Sequence, residues 1–280
     1  MQIRQSGGLG SAAAVSIRGS SSKQVQVFLD GMLLNDPLNG GVDLSFYTLH
    51  DIARIQVFPS SPPARFTSAG VGGVVAMESL GADTPPSTQV YLGAGSFDTF
   101  KSGLLTSGGK DRFHYWLSLN RQTSDNDYPY ENRAEWFNPN DGAESRRRNA
   151  DVTQNDVSAK LGYTFNDQRR LDTLLQWSDR DRGIPSIQNW ANNRANLHTK
   201  SQRVQVHYQD SGWLNGRLHS SHRLLFARSD ESYQDLRGRV GTGRYDVRTD
   251  TDQVALNNSV SWLTGGHTLS ASLDLSLIHI

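Results

Sequence analysis

The fold is decided by a run of alternating side chains, Val157-Ser158-Ala159-Lys160-Leu161-Gly162-Tyr163-Thr164-Phe165. Apolar residues occupy every second position, and small or polar residues lie between them. Because successive side chains of a β-strand point to opposite faces, one face of this segment is apolar and the other is polar. A tilted strand needs roughly 9–11 residues to cross a bilayer. The segment therefore predicts a strand with one apolar and one polar face, about as long as a membrane crossing needs.

The same alternation recurs from about Gln89 onward. Four further apolar sets are Phe113, Tyr115, Leu117, Leu119; Leu171, Thr173, Leu175, Trp177; Val204, Val206, Tyr208; and Leu269, Ala271, Leu273, Leu275. Alternation alone also fits a soluble sandwich, but the connection lengths favour a barrel. Long connections at about 122–152, 180–200 and 229–251 alternate with tight turns such as Asn166-Asp167-Gln168. Outer-membrane barrels have long external loops and short periplasmic turns, so about nine antiparallel strands of such a barrel are expected.

Composition excludes several functional classes. The 280 residues contain 28 basic and 28 acidic side chains, which gives no electrostatic footprint for nucleic acid. There is no cysteine, so disulfide frameworks and thiolate metal sites are excluded. No apolar run approaches the roughly 20 residues that a spanning helix needs. Catalytic motifs of hydrolases and metalloproteases are also missing from the sequence, and we expect no enzyme activity.

Residues 1–80 have a different character, with many glycines and serines and short β-branched runs. Prolines at 59, 62 and 63 interrupt the pattern, and one or two helical turns are expected near Phe46 to Asp51. Residues 81–87, which include Pro85-Pro86, have the composition of a linker. The predicted fold class is therefore mainly β, with a small mixed α/β domain followed by a partial antiparallel transmembrane barrel.

Four motifs in the first 80 residues resemble, in order, the plug of TonB-dependent outer-membrane receptors. They are Val15-Ser16-Ile17-Arg18-Gly19, Val27-Phe28-Leu29-Asp30-Gly31, Ile52-Ala53-Arg54-Ile55-Gln56-Val57 and Ser68-Ala69-Gly70-Val71-Gly72-Gly73-Val74-Val75. Gly95-Ser96-Phe97-Asp98-Thr99-Phe100 then resembles the first barrel hairpin. The segment Asp43-Leu44-Ser45 is most similar to the cobalamin-receptor branch of this family. We refer to residues 1–80 as the plug.

The resemblance implies active uptake of a scarce, bulky ligand such as cobalamin or siderophore-iron through the outer membrane of a Gram-negative bacterium. It implies three partners: the ligand, outer-membrane lipid and the periplasmic protein TonB. It implies no catalysis. TonB would act through a TonB box that is missing from this chain.

The resemblance also assigns roles to individual plug residues. Arg18 and Arg54 are expected to form the lock between plug and barrel, since a guanidinium suits bidentate pairing with wall carboxylates. Gly19, Asp30, Gly31, Gly72 and Gly73 form the structural motif of the plug. The expected ligand-binding residues lie at the plug apices and are Asn35, Asp36, Asn39, Arg65 and Phe66.

The sequence departs from the family in several places. Pro59-Ser60-Ser61 replaces the usual Arg-Gly-Pro, and Phe66-Thr67 replaces the usual Tyr-Gly, which puts the lock in question. Plugged transporters have about 22 strands, so we expect a truncated fragment. The expected divisions are an N-terminally truncated plug at 1–80, a linker at 81–87, the first part of the barrel at 88–274, and a sequencing-adapter artefact at 275–280.

Oxygen ligands in the first long loop raise the possibility of a calcium site. Asp125, Asp127 and Asp141 carry carboxylates, which calcium prefers, and the cobalamin-receptor branch uses calcium in this region. Turns rich in Asp and Asn explain the same residues without any ion. No other cofactor is expected.

Two alternatives to the importer remain open at this stage. One is a β-rich ligand-binding protein that shares the same alternation, and the other is a passive outer-membrane barrel without TonB coupling. An importer's full gene is expected to carry a signal peptide and a TonB box upstream and further strands downstream.

Overall fold

The computed structural model describes residues 1–280 apart from 6, 37–38, 61, 64–65, 67–70 and 132–143. Within the described residues the plug contains six short strands and three 3-10 helices. The strands are β1 (Gln2–Gln5), β2 (Ala13–Ser16), β3 (Gln26–Leu29), β4 (Met32–Leu33), β5 (Ile52–Phe58) and β6 (Val74–Ser79). The 3-10 helices are Ser22–Gln24, Leu44–Phe46 and Leu49–Asp51, so the expected helical turns are present but short.

A sheet of nine antiparallel strands follows, which we call the wall. Its strands lie in the spatial order of the chain, and each pairs with the one before it. They are β7 (Ser87–Gly95), β8 (Thr99–Lys110), β9 (Phe113–Ser124), β12 (Val152–Asn166), β13 (Arg169–Gly183), β14 (Asn196–Trp213), β15 (Leu218–Asp235), β16 (Tyr245–Thr264) and β17 (His267–His279). A separate hairpin of β10 (Pro129–Glu131) and β11 (Glu144–Arg146) lies in the first long connection. The predicted fold class is confirmed.

Two of the predicted loops are shorter than expected. The connection between β13 and β14 covers 184–195, and the one between β15 and β16 covers 236–244. β15 has 18 residues, which is roughly 60 Å of extended chain and more than a tilted membrane crossing needs. The ladder therefore continues past the membrane boundary, where apolar alternation stops but backbone pairing does not.

The plug is built around a four-stranded sheet in the order β4-β3-β6-β5. Its first apolar cluster includes Val15, Ile17 and Leu29, which are buried together with the wall residues Trp116 and Leu174. A second cluster surrounds Phe28, Phe66, Val74 and Ala76. The wall thus completes the plug's core, and burying these apolar side chains stabilises the plug against the inner face of the sheet.

The two faces of β12 differ as the alternation predicts. Leu161 and Phe165 are 38% and 42% exposed on the outer face, whereas Asp156 and Ser158 are buried on the inner face. Lys160 points inward and contacts the plug. Aromatic rings follow one another near the turn end of the outer face, at Phe165, Tyr208 and His222. Apolar side chains thus cover the outer face of the wall, and polar side chains on its inner face contact the plug.

No helix within the described ranges combines the length and apolar character that crossing a membrane would require.

Candidate functional site

The junction between plug and wall is centred on Asp30, at the turn between β3 and β4. Asp30 and Gly31 both have positive φ, at 48° and 83°. This turn directs the Asp30 carboxylate toward β6, where it accepts hydrogen bonds from the Ser79 N–H at 2.8 Å and the Ser79 hydroxyl at 2.6 Å. The local fold of the plug therefore holds a carboxylate in a fixed position before any wall residue is added.

Lys160 of the wall completes this arrangement. Its Nζ donates to Asp30 Oδ2 at 3.0 Å and to Ser79 Oγ at 2.8 Å. The side chains of Lys160 and Asp30 are only 12% and 14% exposed, so the ion pair is almost fully removed from water. Gln205 of β14 donates to the Asp30 carbonyl at 3.0 Å. We call these four residues the Asp30 node.

The Arg223 side chain of the wall approaches this turn closely at position 31. A Cβ on Gly31 would lie 2.9 Å from Nε of Arg223, on β15. The positive φ of Gly31 favours glycine, because side chains disfavour that backbone conformation. Gly31, predicted as part of the plug motif, is therefore favoured by the backbone of its own turn, and a side chain there would also have to displace Arg223.

A second ion pair joins Asp43 of the plug to Arg180 of β13. Arg180 Nη1 lies 3.2 Å from Asp43 Oδ2 and 2.9 Å from Ser45 Oγ, and its guanidinium stacks 3.5 Å above the centre of the Phe46 ring. Asp43 also accepts from the Ser45 N–H and caps the helix Leu44–Phe46. Arg180 is 1% exposed, so a buried cation is held here by an anion and an aromatic face.

The third pair lies at the linker, where Arg170 of β13 donates to Asp83 at 3.2 Å. The hydrogen bond from Arg170 lowers the pKa of the Asp83 carboxyl. A carboxyl with a lowered pKa adds stability above its unfolded pKa and loses that contribution as pH falls through the folded value. Since the Asp83 side chain is 59% exposed, solvent screens this ion pair, and it is weaker than the ion pairs at Asp30 and Asp43.

All three pairs have the same polarity, with the carboxylate on the plug or linker and the cation on the wall. The lock expected from the resemblance has the opposite polarity. Arg18 is exposed, and it forms no ion pair among the residues that the structure describes. Arg54 pairs at 2.5 Å with Glu78, which belongs to the plug itself. A lock role for Arg18 or Arg54 stays a prediction.

A cavity of about 220 Å³ lies between the plug and β12–β16. The plug contributes residues 34–36, 41–43, 46–48 and 51–52 to its lining, and wall residues from five strands close the other side. Tyr47 reaches into it, and burial raises the pKa of this phenol. The cavity brings together two of the residues predicted to bind ligand, Asn35 and Asp36.

Several of the predicted ligand residues also stabilise the plug's own structure. Asn35 Oδ1 accepts a hydrogen bond from the Val27 N–H, and Asn35 Nδ2 donates to the carbonyls of Val25 and Gly40, which closes the loop after β4. Asn39 Oδ1 accepts from the Gly41 N–H at 3.0 Å. Phe66 is 6% exposed, and its ring packs 4.9 Å from Phe28. Arg65 lies outside the described residues.

The remaining glycines of the predicted motif lie at turns next to the plug sheet. Gly73 has a φ of 106°, and a Cβ there would lie 2.7 Å from the Phe58 carbonyl. Gly72 and Gly19 lie in neighbouring turns.

The described residues do not bring the predicted calcium ligands together. Asp127 Oδ2 accepts from Arg146 Nη1 at 2.7 Å, so this carboxylate already has a cation. Asp125 is exposed, and Asp141 lies outside the described residues. Among the residues that are described, no group of three His, Asp or Glu side chains could hold a metal ion. We derive no role for calcium, and the site stays a prediction.

Sequence reasoning missed the three wall cations, Lys160, Arg170 and Arg180. The available signal was the alternation: Lys160 lies between the apolar residues of the run 157–165, and Arg170 and Arg180 lie at even positions, opposite the apolar set Leu171, Thr173, Leu175 and Trp177. A positive charge on an inward face of a barrel needs a partner, and the plug is the nearest source of one.

Comparisons with known proteins agree with this geometry. Residues 1–74 match the family model of the TonB-dependent receptor plug domain. The vitamin B12 transporter BtuB of Vibrio vulnificus is 24% identical over 282 residues, which cover 98% of this chain and 42% of that protein. BtuB of Vibrio cholerae serotype O1 is 33% identical over 98 residues, or 35% of this chain and 16% of that protein. The chain therefore spans less than half the length of these relatives.

Solved structures share the fold. The ferric yersiniabactin uptake receptor FyuA of Yersinia pestis has a TM-score of 0.74 at 15% identity, covering 99% of this chain and 44% of its own. The copper transporter OprC has a TM-score of 0.73 at 14% identity, covering 99% and 42%. A β-rich ligand-binding protein or a passive outer-membrane barrel without TonB coupling is not favoured by these matches.

Proposed function

We propose, given that this chain belongs to the TonB-dependent outer-membrane receptors, that the protein it forms part of is a plug-gated importer of a scarce, bulky ligand. The protein resides in the outer membrane of a Gram-negative bacterium, as its relatives do. Within it, residues 1–80 act as the plug, 81–87 as the linker and 88–274 as part of the barrel. Residues 275–280 remain proposed as an artefact of sequencing.

The observation that carries the proposal is the Asp30 node. A plug must seal a large barrel and yet be movable, and an apolar interface would resist separation because each exposed apolar surface costs free energy. An ion pair such as Asp30–Lys160 holds the closed state while its partners stay together. Once the plug shifts, water can solvate both charges, so the cost of separating them falls along the path.

Energy for that shift would come from TonB, pulling on the plug from the periplasm. Since β6 carries Ser79 and β3 ends next to Asp30, traction on the plug sheet would be transmitted directly to the Asp30 node. The three ion pairs at Asp30, Asp43 and Asp83 lie on separate segments and could open one after another. The protein would perform transport without catalysis.

The ligand is proposed from the relatives. The curated relatives are vitamin B12 transporters, and the structural neighbours include receptors for ferric siderophores. Cobalamin is the first candidate and siderophore-bound iron the second.

The test uses the complete reading frame, expressed in a strain without its own cobalamin and siderophore receptors, with and without TonB. Radiolabelled cyanocobalamin and a ferric siderophore serve as probes. We expect TonB-dependent accumulation of one probe and TonB-independent binding of the same probe at the surface. Accumulation that does not change when TonB is deleted would refute gated import.

A further inference from the structure

We propose that the cavity between plug and wall is a subsite for a neutral, carboxamide-bearing arm of the imported ligand. This inference rests on the proposed uptake function, because it assigns a chemical class to part of the cargo. It depends on four properties of the cavity: its size, an excess of negative charge and, among the described residues, one carboxylate oxygen and one guanidinium nitrogen that lack a hydrogen-bond partner.

The cavity has room for a side arm of a bulky ligand. Its volume is about 220 Å³, whereas one water needs only roughly 10–15 Å³ of such space. Sites that enclose a whole drug-sized ligand are larger, at about 300–1,000 Å³. The lining comes from both the plug and the wall, so an occupant would contact both at once.

Asp51 supplies an acceptor that nothing satisfies. Asp51 ends the 3-10 helix Leu49–Asp51, is 6% exposed and lines the cavity. Its Oδ1 is buried and has no hydrogen-bond partner in the described part of the chain. Leaving such a group unpaired costs free energy, so Asp51 favours an occupant that donates a hydrogen bond.

Arg203 of β14 supplies an unsatisfied donor to the same cavity. Its Nη1 is buried and, within the described ranges, has no acceptor. It lies close enough to Tyr47 to lower that phenol's pKa against the larger effect of burial. An occupant that satisfies both Asp51 and Arg203 must therefore carry a donor and an acceptor together.

The net charge of the cavity lining determines which chemical groups with both a donor and an acceptor it can bind. Five carboxylates line the cavity, of which Asp43 is already paired with Arg180, against two guanidiniums, Arg203 and Arg228. Arg228 is already paired with Asp230 at 3.2 Å. The remaining potential opposes carboxylate, phosphate and catecholate groups. A primary carboxamide is neutral, donates through its NH₂ and accepts through its carbonyl, so it meets every condition.

The test titrates the purified full-length receptor with two small probes of matched shape, propionamide and propionate, and follows binding by saturation-transfer NMR. The native receptor is expected to bind propionamide and to discriminate against propionate. Asp51→Asn removes the charge and is expected to weaken propionamide about tenfold while strengthening propionate, which reverses the preference. Arg203→Met is expected to weaken both probes, and Arg203→Lys to restore part of the binding.

The matched control is Asp111→Asn, since Asp111 is exposed in the turn between β8 and β9 and does not line the cavity. It is expected to leave the ratio of the two affinities unchanged. The inference is overturned if propionamide fails to bind the native receptor, or if Asp51→Asn leaves the preference as it was. Failure of the proposed function would look different, because the native receptor would then show no TonB-dependent uptake whatever the amide titration gave.

Discussion

Asp30 and Lys160 carry opposite charges and are both almost fully buried, so each charge is stabilised by the other. Removing one partner leaves the other charge buried and uncompensated, which costs about 3–5 kcal/mol. We therefore expect Lys160→Met to lower the free energy of plug unfolding by a value near that range. Chemical denaturation of the refolded full-length receptor, followed by protease sensitivity of the plug, measures this.

The double variant Asp30→Asn/Lys160→Met should recover much of the lost stability, because neither charge is then stranded. Arg54→Gln is the matched control, as the Arg54 side chain is 59% exposed in its pair with Glu78. An exposed pair contributes about 0–1 kcal/mol. Equal losses from Lys160→Met and Arg54→Gln would contradict the assignment of the Asp30 node as the principal ion pair.

Tyr47 gives the junction a response to alkaline pH. Burial raises the pKa of its phenol, so the folded state keeps the proton more tightly than the unfolded state. The resulting stability is complete below the unfolded pKa of about 10 and is lost as pH rises through the folded value. We expect the native receptor to destabilise above that pH more steeply than Tyr47→Phe, in denaturation curves recorded across the alkaline range. Parallel pH profiles for the two proteins would show that Tyr47 does not contribute to the loss of stability at alkaline pH.

The plug residues of the Asp30 node could be predicted from sequence motifs, whereas the wall residues that contact them could not. Asp30 and Gly31 belong to a recognisable motif because their turn needs positive φ. Lys160 lies 130 residues further along the chain than Asp30. Which inward cation meets which carboxylate depends on how the plug is rotated within the wall, and no local pattern encodes that rotation.

Strand β12 shows why alternation was a reliable guide at the scale of elements. Its inner face includes Gln154, Asp156 and Ser158, all buried, and its outer face includes the exposed Leu161 and Phe165. Strand ends were less predictable. On β15 and β16, Arg228–Asp230 and Arg248–Asp250 occupy positions where apolar alternation has stopped and the ladder continues. A pattern of lipid contact marks the membrane boundary, not the end of a strand.

The lipid-facing assignment of β12 is testable with one substitution and a control on the same strand. Leu161→Arg places a charge in the apolar band and is expected to cost about 2–4 kcal/mol if this position lies near the bilayer midplane. Asn155→Arg lies on the same face nearer the long loops, where Asn155 accepts from Arg121 at 2.7 Å, and should cost about 0–1 kcal/mol. Unfolding of the full-length receptor from lipid vesicles measures both. A loss from Asn155→Arg as large as that from Leu161→Arg would contradict the assignment.

At the scale of the molecule, the wall is an open sheet in which β7 and β17 each have one neighbour among the described strands. Unpaired strand edges are costly in lipid, because water cannot satisfy their backbone groups there, and in water they template aggregation. The outer face adds exposed apolar side chains from every strand between them, including Leu119, Leu175 and Phe226. The described part of the chain therefore contains the plug and the wall that contacts it, but its strands do not close into a barrel.

We expect residues 1–280, expressed alone, to aggregate both in buffer and when transferred to detergent, while the complete reading frame refolds in detergent as a monodisperse species. Residues 1–86 are the matched control. Among the buried members of the plug's two apolar clusters, only Trp116 and Leu174 come from the wall. The wall-facing carboxylates Asp30 and Asp43 would become hydrated, so this piece should stay soluble. Size-exclusion chromatography distinguishes these outcomes. A soluble, monomeric 280-residue chain would mean that its outer face does not require lipid, and the membrane assignment of the wall would fail with it.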